Sequence, residues 1–345
     1  MKSHFKFSII IPTFNPGNKI FDCIRSIEKS LNYFKEKKIV KYEILIINDG
    51  GKKIDLKSFK CSENLKQIKL KQNRGVGYAR QYGAKISKFK NLFFIDSDLV
   101  IQRNTLYILF KDYNNLKNVG SIGPLQSLQN LNKDFTSDFV CAKSCYGFEK
   151  TEKYIKFSAI RSECCLIDKN FLFTVGGWGY FPNAGGEEFD LGHRIIKKGK
   201  INYITKNTLY FTYWDNLFTR CKNVILRTSN YLPVFLSSKK FETKGSFATS
   251  TQAFSAFITL LLIFSLIVFK YNVFEFSIDF KKFVLFLLVV NFLVEYDFLR
   301  FVFKYFSKTI FILSFFGIFI INISIILGSI LGIMNLLKFI FTYKN

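Results

Sequence analysis

Up to about residue 215, short apolar runs alternate with stretches whose apolar positions recur every three or four residues. Phe7 to Ile11 is a brief branched and aromatic run that predicts a strand, with Pro12 expected to stop it. Ile20, Ile24, Ile27, Leu31 and Phe34 recur at helical spacing above a face of lysine and glutamate, which predicts an amphipathic helix. Tyr42 to Ile47 and Leu65 to Leu70 predict two further strands, and Tyr78 to Lys88 a helix after the turn Gln72 to Gly77. Phe93-Phe94-Ile95 predicts a buried strand that runs into Asp96-Ser97-Asp98. Alternating strands and helices predict an α/β layer with a largely parallel sheet. Beyond it, Leu106 to Leu116 predicts a helix, Arg161 to Asp168 a strand and Lys169 to Val175 a short helix. A helix from the Glu187-Glu188 pair should end near Gly199, followed by strands over Ile201 to Ile204 and Leu209 to Tyr213. Residues 126–156 have no clear period and are expected to be loops over a site.

The pattern then changes. Residues 215–250 are basic, and Ala253 to Phe269 carries no charge at all. Phe283 to Val294 is strongly apolar but reaches Phe303 only by including Glu295, Asp297 and Arg300. Ile310 to Phe341 is apolar except for Lys338. At about twenty residues per crossing, the first and last stretches predict membrane helices, and the middle one a third that would carry three charges. The basic part of the chain is expected on the cytoplasmic side.

Charge sharpens this division. The 345 residues hold 50 Lys and Arg against 25 acids, for a net +25. Of these, 42 bases and 21 acids precede residue 250, so the field belongs to the first part. No helix-turn-helix, zinc finger or aromatic-basic binding sheet accompanies it, so nucleic acid is not the expected partner. Anionic lipid and phosphorylated substrates suit the charge better. Seven cysteines without Cys-x-x-Cys spacing or nearby histidines predict reduced thiols. The first residues run straight into a strand, and no signal peptide is expected.

Candidate chemistry lies where strands end. Were the backbone to stay extended, Asp96 and Asp98 would share one side of it, as two hard oxygen ligands suited to Mg²⁺ or Mn²⁺ and a diphosphate. The plain alternative is a solvated turn. Gly75-Val76-Gly77 precedes a helix, but Arg80 stands where a dinucleotide fingerprint needs glycine or alanine, which argues against a nicotinamide enzyme. A helix start beside Arg74 and Arg80 would still suit a phosphate. Glu187, Glu188 and Asp190 open a helix, where stabilisation of its dipole would explain them without any catalytic role.

Taken together these stretches resemble the family 2 glycosyltransferases of the GT-A fold. The resemblance covers roughly residues 7–215, in the family's order. Ser8-Ile9-Ile10-Ile11-Pro12-Thr13-Phe14-Asn15 resembles the opening strand and loop, and Ile47-Asn48-Asp49-Gly50-Gly51 the Asp-Gly-Ser ending of the second strand, with Gly51 replacing serine. Asn73-Arg74-Gly75 to Ala79-Arg80 resembles the Asn-x-Gly…Ala-Arg-Asn segment, with Gln81 replacing asparagine, and Phe94-Ile95-Asp96-Ser97-Asp98 the Asp-x-Asp strand end. Gly176-Gly177-Trp178 and Gly186-Glu187-Glu188-Phe189-Asp190-Leu191 resemble the acceptor-side Gly-Gly-Phe and Glu-Asp-x-Asp-Leu segments.

The resemblance implies a GT-A (Rossmann-like, mainly parallel) α/β catalytic domain over residues 1–232. Residues 1–100 would bind the nucleotide-sugar and 101–232 the acceptor. A basic juxtamembrane linker, 233–252, and two or three transmembrane helices within 253–341 would follow. It implies an inverting transfer from a nucleotide-diphospho-sugar, a UDP-sugar by expectation, to a lipid-linked or cell-surface glycan at the cytoplasmic membrane face. Polyprenyl-phosphate transfer and a non-catalytic membrane scaffold are the alternatives. No Gln-x-x-Arg-Trp segment supports a processive synthase. By position, Thr13 and Asp49 would contact the nucleoside, Pro12 would be among the substrate-binding residues, and Arg80 would lie near the phosphates. Asp96 would sit at ribose and metal, and Asp98 would ligate the Mn²⁺ or Mg²⁺. Trp178 and Glu187 would line the substrate site. Glu188, in place of the family's aspartate, would be the general base, with Glu187 as its rival.

Overall fold

The computed structural model describes residues 5–56, 64–148, 152–181, 185–238, 241, 249–270 and 280–343. Chain contacts divide it into two units: residues 1–131 with 150–213, and residues 132–149 with 214–345.

The first unit is built on one mixed sheet. Strands β1 (Phe5–Thr13), β2 (Val40–Asn48), β3 (Leu65–Lys69) and β4 (Asn91–Ile95) pair in parallel in the order β3-β2-β1-β4. Beyond β4 the sheet turns antiparallel at β8 (Cys164–Asp168), then continues through β6 (Val119–Gln126) and β9 (Ile201–Thr212) to β5 (Leu99–Ile101). Strand β7 (Tyr154–Phe157) also pairs with β9.

Strand alternation sorts the core into two layers. Phe7, Ile9, Ile11, Ile44, Ile46, Phe93 and Ile95 face helices α1 (Lys19–Lys37) and α3 (Thr105–Asn115). Ile10, Leu45, Ile47, Leu92 and Phe94 face α2 (Val76–Ile86), α5 (Lys169–Thr174) and α6 (Glu187–Lys197). The five periodic residues of α1 are at most 1% exposed. Each such burial is worth roughly 1.5–3 kcal/mol.

Several local expectations are corrected. Strand β1 runs through Pro12 to Thr13, because pairing with β4 has already ended at Ile10. The backbone does not stay extended from Asp96 to Asp98: β4 ends at Ile95, and Leu99 N donates back to Asp96 O at 3.3 Å. Residues 201–212 form one strand, whose pairing with β6 shifts register beside Pro124. The supposed loops at 126–156 contain a helix, α4 (Phe135–Cys145), capped by Asp134 accepting from Ser137 N, and strand β7.

The second unit gathers α4 with α7 (Leu217–Ser238), α8 (Ser250–Lys270), α9 (Phe280–Tyr305) and α10 (Lys308–Tyr343). Phe139, Val224, Phe298, Val302, Ile318 and Ile321 share its apolar core. A polar layer crosses it. Lys143 Nζ donates to Glu295 Oε2 at 2.7 Å and to Gln252 Oε1 at 3.1 Å. Gln252 donates to Asn322, which donates to Ser255 and Thr259. On α10, a Cβ at Gly328 would lie 2.6 Å from Ile225 O, so glycine permits the close approach of α7. Among the described residues, two helices are long and apolar enough to cross a membrane, α8 over Ser250–Val268 and α10 over Lys308–Leu337. The middle stretch is not a third, since α9 carries Glu295, Asp297, Arg300 and Lys304. Part of the basic linker (239, 240 and 242–248) lies outside the described residues, as do 182–184.

Candidate active site

The carboxyl ends of β1, β2 and β4 lie side by side in the first unit, where an α/β sheet opens to ligand. Pro12 and Thr13 close β1. Thr13 is 5% exposed, and its hydroxyl has no hydrogen-bond partner among the described residues. Asp49 follows β2 and accepts from the backbone N–H groups of Arg74, at 3.0 Å, and Gly75, at 2.8 Å. Burial pushes its carboxyl above the ordinary aspartate value, against the pull of those two donors. Asp49 thereby fixes the turn into α2.

The Gly-x-Gly at that turn serves packing. A Cβ at Gly77 would stand 2.6 Å from Gly179 O, so α2 can press against the segment 176–179 only with glycine there. From the same helix, Gln81 Oε1 accepts from Trp178 N at 2.9 Å and fills the space over Gly177 that a Cβ would need. The replacement of the family's asparagine by Gln81 thus has a local reason. Arg194 grips the segment from the other side, donating to Val175 O and, at 2.8 Å, to Gly177 O, while paired with Asp190 at 2.6 Å.

Arg80 lies under the centre of the site. Its side chain is 2% exposed; it pairs with Asp96 at 2.7 Å and with Glu187 at 3.3 Å. The guanidinium carbon sits 4.9 Å from the Trp178 ring centroid, and Trp178 meets Phe94 edge to face. Arg80 is therefore committed to two carboxylates, which differs from the phosphate-facing position expected for it. Glu187, 1% exposed, also accepts from Gly185 N at 2.7 Å. Its neighbour Glu188 is half-buried on the first turn of α6, and its backbone oxygen accepts from Ile160 N at 3.2 Å. Burial pushes the Asp96 carboxyl up to about 7, opposed by the adjacent Arg80 and reinforced by Asp98. The Asp98 backbone oxygen accepts from Tyr213 N at 3.1 Å, tying the β4 turn to the end of β9.

The structure thus brings the buried Arg80, Glu187 and Trp178 together with the partly exposed Asp96, with Asp98 beyond Asp96 in the β4 turn and Glu188 beside Glu187. Thr13 and Asp49 stand at the neighbouring strand ends. Two carboxylates at a strand end fit a divalent cation that keeps water and phosphate oxygens as its other ligands. Among the described residues no three His, Cys, Asp or Glu side chains converge as a complete protein-built metal site. Glu163 was not anticipated. It faces Asp96 across the β4–β8 pair, and its backbone oxygen accepts from Asp96 N at 2.8 Å. Its one sequence signal is an acid directly before the apolar run Cys164 to Ile167.

Residues 8–162 match the family model described as Glycosyl transferase family 2. Glu163, Trp178, Glu187 and Glu188 lie beyond that match. The chain is similar to the poly(ribitol-phosphate) beta-N-acetylglucosaminyltransferase TarP of Staphylococcus aureus (strain N315), with 26% identity over 235 residues, 66% of this chain and 59% of that protein. It is 33% identical over 120 residues to the dolichyl-phosphate beta-glucosyltransferase of Dictyostelium discoideum, 32% of this chain and 34% of that protein. The chain spans less than two thirds of the length of these relatives. Among solved structures it is similar to the mannosyltransferase PcManGT from Pyrobaculum calidifontis in complex with GDP-Man and Mn²⁺. The TM-score is 0.57 at 11% identity, covering 95% of this chain and 87% of that one. Residues 8–162 thus carry the match to glycosyl transferase family 2, on a fold of the GT-A type.

Proposed function

We propose that this chain is a membrane-attached, metal-dependent inverting glycosyltransferase. It would move a sugar from a nucleotide-diphospho-sugar, a UDP-sugar in the first instance, to a lipid-linked or cell-surface glycan at the cytoplasmic face of the membrane. The observation that carries this reading is the Asp96–Arg80–Glu187 bridge. It ties the end of β4, on the donor side, to the start of α6, which presents Glu188.

In this reading Pro12, Thr13 and Asp49 line the nucleoside. Asp96 and Asp98 would hold Mn²⁺ or Mg²⁺, which offsets the charge of the diphosphate leaving group when bound. Arg80 fixes the orientation of Asp96 from below, and Trp178 packs the wall between the two halves. Glu188 takes the proton from the attacking acceptor hydroxyl. A single displacement at the anomeric carbon needs no covalent nucleophile from the protein.

A polyprenyl-phosphate acceptor is the second reading, favoured by the similarity to the dolichyl-phosphate enzyme. Such an acceptor is already ionised and needs less of a base. Helices α8 and α10 would provide a two-pass anchor, returning the C-terminus to the side of the catalytic domain. The test is release of nucleoside diphosphate from a panel of UDP- and GDP-sugars by the detergent-solubilised chain, with Mn²⁺ and with either polyprenyl phosphate or membrane glycolipid as acceptor. The proposal expects metal-dependent, acceptor-stimulated release. No release from any donor with either acceptor would favour a scaffold that keeps the fold without the reaction.

A further inference from the structure

One acid near the site, Glu163, has no role in the transfer as proposed. Ile95 of β4 pairs with Cys164 of β8, which sets Asp96 opposite Glu163. The backbone bond from Asp96 N to Glu163 O, at 2.8 Å, makes the two residues neighbours, and the Glu163 charge acts on the Asp96 carboxyl. The two side chains are similarly accessible, at 27% and 25%.

Glu163 is held from behind. The Tyr210 hydroxyl donates to its Oε1 at 2.8 Å, and Arg161 Nη1 lies 3.3 Å from the same oxygen. Arg161 is 6% exposed, with its guanidinium carbon 5.7 Å from the Tyr210 ring centroid. Gly123 leaves it room, since a Cβ there would come within 2.6 Å of Arg161 Cβ. This is a fixed, partly exposed carboxylate beside Asp96.

Arg161 balances the Glu163 carboxylate, which leaves a fixed hydrogen-bond acceptor next to Asp96. A diphosphate would be repelled by it. Asp96, Asp98 and Glu163 do not form a three-ligand metal cluster among the described residues. A neutral polyhydroxyl group is the ligand class that gains from a fixed acceptor.

We propose that Glu163 is a specificity residue for the donor sugar. Its carboxylate accepts a hydrogen bond from a hydroxyl of a neutral hexose and disfavours a uronate through like charge. This rests on the reading of the site as one for a nucleotide-sugar.

The test is calorimetry on the full detergent-solubilised chain with Mn²⁺, comparing UDP, UDP-glucose and UDP-glucuronate, and the corresponding GDP, GDP-mannose and GDP-mannuronate set. In the wild-type chain the neutral sugar should bind at least about tenfold more tightly than its uronate. Glu163→Gln should leave the affinity for the free nucleoside diphosphate within about threefold. It should weaken the neutral sugar by about tenfold or more and narrow the gap to the uronate. Tyr210→Phe, which keeps the charge but loosens its hold, should weaken the neutral sugar while still rejecting the uronate.

An unchanged neutral-to-uronate ratio in Glu163→Gln, with nucleotide binding intact, would make Glu163 only a counterion of Arg161. Should Glu163→Gln unfold, loss of uronate rejection in Tyr210→Phe would overturn the proposal, and retention would support it. If neither UDP nor GDP binds the wild-type chain with Mn²⁺, the nucleotide-sugar reading fails and this inference with it. If a nucleotide binds but its sugar adds no discrimination, this inference alone fails.

Discussion

Glu187 and Glu188 are adjacent, yet their surroundings differ. Glu187 is sealed against Arg80 and the Gly185 amide, while Glu188 is half-buried on the first turn of α6. Glu188→Gln keeps size but removes the proton acceptor, so turnover should fall by about 10²–10⁴ while donor binding survives. Glu187→Gln removes one of the two charges balancing Arg80 and should lower stability by about 1–3 kcal/mol, read as a drop in melting temperature. Lost turnover at an unchanged melting temperature in Glu187→Gln, with Glu188→Gln still active, would reverse the assignment. The residue types at the strand and helix ends were legible in the sequence because each closes a local pattern. The partnership of Arg80 and Glu187 was not, since 107 positions separate them. Glu163 was hidden for the same reason: its meaning depends on the β4–β8 pairing, which no local pattern specifies.

Among the elements, those with a strong period were read correctly and α4 was missed. Helix α1 buries one clear stripe. Helix α4 buries Thr136, Ser137, Phe139, Val140, Cys141, Ala142, Lys143 and Cys145, so nearly every side faces protein and no polar face remains to set a period. Lys143 explains how a charge can sit in such a helix: it meets Glu295 at 2.7 Å and lies 3.9 Å from the Phe298 ring centroid. Removing one partner strands the other charge. Lys143→Met should therefore cost about 3–5 kcal/mol, and Lys143→Met with Glu295→Leu should recover much of that loss. Thermal unfolding of the solubilised chain measures both. A double variant whose loss equals the sum of the two single losses would show that the pair is not coupled.

At the scale of the whole molecule, two surfaces answer the change in composition. The part before residue 250 carries most of the +25 charge. Helices α8, α9 and α10 leave large apolar side chains outward, among them Phe264 at 61%, Leu293 at 63% and Phe316 at 64% exposure, a surface suited to hydrocarbon. The full chain should stay in the membrane pellet after carbonate extraction, and its release into the supernatant would contradict the anchor. The sequence showed this division because charge and apolar length are read without knowing any contact. It left the number of spans at two or three because half of α9 is apolar while the other half carries Glu295 and its charged neighbours.

The central claim is that the β4 end binds a nucleotide diphosphate through a divalent cation. Calorimetry of UDP and GDP binding to the solubilised chain, with Mn²⁺ and with chelator, for the wild type and Asp98→Ala, tests it most directly. Mn²⁺-dependent binding of at least one nucleotide is expected in the wild type, with its loss in Asp98→Ala at an unchanged melting temperature. Metal-dependent affinity that survives undiminished in Asp98→Ala would contradict it.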